Sequence, residues 1–170
     1  MYKINKYNRN LTVNYALEYA LKKNEDFFDY TNQGGNCTNY VSQCIYAGAP
    51  KMNVGENGWY YFSPANTSVS WANVEPLYNF LTSNNGEGPF ASGGKELEMC
   101  EEGDVIQLRF NGKDAFSHAL IVTKIEDKTP QGIFVCSNTR DVKNVPLAFY
   151  KYQEFRLIHI LGYRTPINKF

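Results

Sequence analysis

The stretch TNQGGNCTNYVSQCIYAGAP, Thr31 to Pro50, joins a glycine turn to an amphipathic segment. Cys37, Val41, Cys44 and Ile45 fall on one stripe at helical spacing, Asn36 is a favourable N-cap and Gly48 a natural terminator. Together they predict a helix over Cys37–Ala47. Cys37 stands in the first turn, where unpaired N–H groups and the positive end of the helix dipole favour a thiolate. Such a position can lower a thiol pKa from about 8.5 towards roughly 3.5–7.5. Gly34 and Gly35 permit a tight approach that leaves the sulfur open, and the Cys37 N–H is placed to meet the oxyanion of an attacked carbonyl. A cysteine that merely fills a core needs none of this. Cys37 is therefore the candidate nucleophile.

On the N-terminal side, Val13, Ala16, Leu17, Ala20 and Leu21 recur at helical spacing and predict a helix over Arg9–Asn24. On the C-terminal side, a further helix is expected over Val74–Leu81, capped by Asn73 or Ser70, with Pro76 tolerated near its start. The segments 51–70 and Asn84–Gly94 read as loops. The pattern then changes to strands at Asp104–Phe110, Ser117–Ile125 and Gly132–Asn138, with a fourth in RLIHILGYR near the end. Helices followed by an antiparallel sheet make an α+β domain. No repeat or linker divides the chain, so residues 1–170 are expected to form one domain.

A cysteine nucleophile needs a base, and the chain has two histidines. His118 opens an apolar strand and alternates with Leu120 and Val122; from the start of that strand it can point to a helix N-terminus packed on the sheet. His159, between Ile158 and Ile160, has the setting of a satisfied core or edge histidine, so His118 is favoured as base. The base in turn needs an orienting group. Asn138 sits where the sheet would return beside His118, with Asp141 as the alternative.

Among 170 residues, 43% are hydrophobic and 20% charged, the proportions of a folded globular chain. Seventeen basic residues balance seventeen acidic ones, so no global field recruits nucleic acid. No stretch is apolar enough to span a bilayer, and the first fifteen residues lack the apolar core of a signal peptide. The expectation is a protein that is cytoplasmic at synthesis. Four cysteines without a Cys-x-x-Cys pair, and two distant histidines, predict neither a disulfide scaffold nor a metal site. No cofactor is called for, and a monomer is expected. Cys44 and Cys136 read as core residues. Trp59 and Trp71, with Tyr60 and Tyr61, either cap a core or wall a substrate groove; together with Asn36 they are the candidate substrate-binding residues.

The tracts GGNCTNYVSQCIYAGA, WYY, SVSWANVEPLYNFL, EEGDVIQL, SHALIVTKI and SNTRD together resemble an amidase domain family of papain-like cysteine hydrolases, related to the CHAP and NlpC-type cell-wall enzymes. The similarity runs from about Tyr7 to Leu147. It implies a papain-like fold with N-terminal helices packed on a C-terminal sheet, Cys37 as nucleophile, His118 as base and Asn138 as the third, polar member. This chain has Asn138 and Asn36 where such proteins more often carry histidine and aspartate. The resemblance also implies peptidoglycan as substrate, cut at the muramoyl–alanine amide or within the stem peptide, by a protein exported or released with a phage. The alternatives are a cytosolic cysteine peptidase or acyltransferase acting on another peptide, and a catalytically silent binding module.

Overall fold

The computed structural model describes residues 1–167. In chain order they form β1 (Tyr2–Asn5), α1 (Arg9–Tyr19), α2 (Cys37–Gly48), β2 (Tyr61–Ser63), β3 (Asn66–Thr67), α3 (Val69–Ala72), α4 (Val74–Ser83), β4 (Gly88–Gly94), β5 (Val105–Arg109), β6 (His118–Ile125), β7 (Ile133–Ser137), β8 (Val142–Pro146) and β9 (Glu154–Pro166). This is an α+β architecture with one large antiparallel sheet and few helices.

The four strands expected from sequence form the middle of the sheet, in the order β9–β5–β6–β7, and β8 extends it beyond β7. The unexpected partners gather on β9, whose thirteen residues are long enough to serve both edges. β5 pairs with Glu154–Ile158 and β1 with Tyr163–Pro166, while β4 pairs across Leu157–Arg164. The overlapping registers put β4 on the edge opposite the other two. The Gly88–Gly94 segment, read from composition as loop, is therefore a strand held by tertiary pairing rather than by propensity.

Alternation in the strands divides the core into two layers. Ala119 and Ile121 of β6, Val105 of β5 and Ile158 and Ile160 of β9 face the helices, packing with Ala16, Val41, Ile45 and Leu77. Leu120, Val122, Ile106, Ile133 and Val135 point to the opposite face, which Leu97 and Leu147 cover. Helix α2 is the most deeply packed helix: ten of its twelve residues are buried.

Helix α1 starts where the Asn8 side chain accepts from the Leu11 N–H. It ends at Tyr19 rather than Asn24, and the Asn138 side chain donates to the carbonyls of Tyr19, Ala20 and Lys22 just there. Its other end is pinned by the fully buried Asp104. That carboxylate accepts from Arg9 Nη1 at 2.7 Å, the N–H groups of Glu101 and Ile160 at 2.8 and 3.0 Å, and pairs with His159 Nδ1 at 2.7 Å. His159 is thus a satisfied histidine holding strand to loop. Among the described residues, no helix is long and apolar enough to cross a membrane.

Candidate active site

Gly34 and Gly35 both adopt left-handed backbone, with φ of 99° and 115°, a conformation that explains two consecutive glycines before the helix. The turn closes on the end of β7: the Asn36 N–H donates to the Thr139 hydroxyl at 2.8 Å, and a side chain at Gly35 would lie 3.5 Å from that same oxygen. Cys37 follows at once, 7% exposed and part of the helix-side core, its sulfur 3.8 Å from the Thr38 hydroxyl. Among the described residues no side chain caps α2, because the Asn36 carboxamide turns away and accepts from Tyr30 N–H and Asn39 Nδ2. The first-turn N–H groups around Cys37 are left uncapped by the protein.

His118 stands at the first position of β6. It shares its sheet face with Leu120 and Val122, the face away from α2, and stands beside the end of β7, next to which the Asn36–Thr139 contact anchors the loop before Cys37. Its Nε2 lies 3.3 Å from the Ser137 hydroxyl. Tyr150 packs against the imidazole with ring centroids 5.5 Å apart, and the Cys37 thiol is close enough to act on the Tyr150 hydroxyl electrostatically. Cys37 and His118 therefore share a neighbour, but no hydrogen bond joins them. Burial, and secondarily the Arg140 guanidinium, lowers the His118 pKa to about 4, so the ring is neutral at physiological pH. Burial likewise pushes Tyr150 up to about 12; its buried hydroxyl lies near Ser137 but makes no hydrogen bond of good geometry among the described residues. His118, Tyr150, Thr139, Arg140 and Phe149 line one cavity of about 590 Å³.

The other expected site residues lie elsewhere. Asn138, expected to orient His118, has its carboxamide engaged on the α1 side: it donates to the three carbonyls named above and accepts from Asn36 Nδ2 at 2.8 Å and from Lys23. Neighbouring strand residues project to opposite faces, so Ser137 and not Asn138 reaches the imidazole. Asp141, the alternative, pairs with Lys23 at 3.1 Å. Asn36 is 3% exposed with both ends of its amide satisfied by protein, which leaves its side chain nothing to offer a substrate. Trp59 and Trp71 are corrected too. Both are fully buried, 4.7 Å apart, with indole N–H groups donating to Ser42 Oγ and Asn39 Oδ1. They anchor α2 from behind rather than wall a groove. Ser137 and Tyr150 carried no sequence signal beyond their strand and turn positions.

A family model described as "Putative amidase domain" matches residues 6–161. The chain belongs to this amidase-domain family. The uncharacterized protein YhbB of Bacillus subtilis strain 168 is 35% identical over 119 residues, covering 68% of this chain and 37% of that protein. The chain thus spans little more than a third of the length of the curated relative it matches. No solved structure gives a significant match.

The other thiols of the amidase domain are core groups. Cys44, Cys100 and Cys136 are fully buried, and burial raises the pKa of each, Cys100 to about 12. Among the described residues no cluster of three or more His, Cys, Asp or Glu side chains is arranged to hold a metal ion.

Proposed function

We propose that the chain is a cysteine-dependent amide hydrolase of papain-like design, acting on peptidoglycan. The observation that carries this reading is the setting of Cys37. It is the first residue of an uncapped helix, behind a left-handed glycine turn that abuts the strand end beside His118. Neutral His118 takes the thiol proton as the sulfur attacks the substrate carbonyl, forming the C–S bond. The Cys37 N–H faces the resulting oxyanion. Collapse breaks the C–N bond, and His118 returns the proton to the departing amine. Water, deprotonated by the same ring, then cleaves the thioester, giving a carboxylic acid and the free thiol.

In this mechanism Ser137 holds Nε2, which leaves Nδ1 to serve the sulfur; Asn138 is a structural brace. The thiol–imidazole contact closes when substrate binds, as catalytic hydrogen bonds that are loose in free enzymes commonly do. Peptidoglycan follows from the resemblance of the sequence tracts to cell-wall hydrolases; amidase-domain membership supports an amide bond as the target. The test is digestion of purified peptidoglycan by wild type and Cys37→Ser, with mass analysis of the fragments. New free amines or stem peptides from wild type alone are the expected result. No release from any wall type would rule out that substrate.

A further inference from the structure

Two cavities flank the Gly35–Thr139 contact, and their charges differ. On the glycine side, about 370 Å³ is lined by Tyr30, Gln33, Thr67, Ser68 and Asn73 among others, without a charged side chain. On the histidine side, the cavity of about 590 Å³ holds Arg140 and Lys151 against the apolar walls of Phe110, Phe149 and Tyr150, and no acidic residue. Among the described residues, neither cation has an ion pair or a side-chain hydrogen bond; Asp141, the acid next to Arg140, is paired with Lys23. In a chain of zero net charge, two free cations converging on one cavity next to the proposed base are a local field. The planar guanidinium suits a carboxylate, and the aromatic walls lower the local dielectric around such a pair.

We propose that the His118-side cavity is a carboxylate subsite: the substrate is an acidic peptide amide, whose anionic segment lies along Arg140 and Lys151 and whose uncharged segment lies on the Gly34–Gly35 side. This rests on the hydrolase reading for its place in catalysis, but binding can be measured without turnover.

The experiment uses the Cys37→Ser protein, with its two histidines isotope-labelled, titrated with acetyl-alanyl-glutamate amide and, separately, with the glutamine counterpart. The glutamate peptide should bind roughly five- to tenfold more tightly and shift the His118 resonances. Arg140→Gln with Lys151→Gln should erase that preference while leaving binding of the glutamine peptide and the melting temperature unchanged. Equal affinity for the two peptides, or a preference that survives both substitutions, would overturn the subsite. Competition by millimolar inorganic phosphate at constant ionic strength, as strong as that by the glutamate peptide, would also overturn it in favour of a generic anion site. A preserved carboxylate preference in a protein that releases nothing from peptidoglycan would sink the hydrolase substrate and leave the subsite standing.

Discussion

Asn36 and Asn138 are joined side chain to side chain, Nδ2 of the first donating to Oδ1 of the second at 2.8 Å. This bond links the residue before the candidate nucleophile to the end of β7, and through Asn138 to the end of α1. It makes Asn138 a brace for the loop that carries Cys37, while Ser137, and not Asn138, is placed to hydrogen-bond the imidazole.

The two neighbours should therefore fail differently. Asn138→Ala removes a buried amide with five partners and should cost about 2–4 kcal/mol in urea unfolding. Ser137→Ala should cost about 1 kcal/mol or less yet slow alkylation of Cys37 and reduce turnover with little change in KM. If Asn138→Ala were the variant that kept stability and lost turnover, the assignment would be reversed.

The lowered pKa of His118 predicts an acid-sensitive fold. An ordinary histidine titrates near 6.5 and this one at about 4, so between those values the unfolded chain binds more protons than the folded one. Stability from this group is full above about pH 6.5 and declines as pH falls towards 4, by about 3 kcal/mol at most. His118→Gln should show a smaller loss between pH 7 and pH 4.5 than wild type. Imidazole NMR of the Cys37→Ser protein should give a midpoint near 4, which Arg140→Gln moves upward.

Gly35→Ala places a side chain at φ 115° and against Thr139. A cost of about 1–2 kcal/mol is expected from the backbone alone. The rate of Cys37 alkylation should change with it, because the turn sets the helix start; an unchanged rate would separate the turn from the thiol.

Tyr150→Phe deletes a buried hydroxyl that makes no hydrogen bond of good geometry among the described residues. Thermal unfolding should show no loss of stability, and up to about 1 kcal/mol of gain. A clear destabilisation would mean the hydroxyl is bonded in solution.

Arg9→Ala leaves the fully buried Asp104 without its guanidinium. Removing one partner of a buried pair should destabilise by about 3 kcal/mol, and Asp104→Asn in the same background should recover part of the loss, both read from urea midpoints.

Helix α2 and the central strands were legible in the sequence because helical and strand periodicity, a cap and a terminator are local signals. The cysteine at the helix start, the glycine pair that precedes it and the histidine opening β6 were read from the same local grammar. Tertiary structure decided the rest. Gly88–Gly94 is a strand only because β9 offers it a free edge, and the two tryptophans are core because Ser42 and Asn39 satisfy their N–H groups. The choice between Ser137 and Asn138 turned on register: one residue along a strand reverses the face a side chain meets, and no local pattern records which face will find the imidazole.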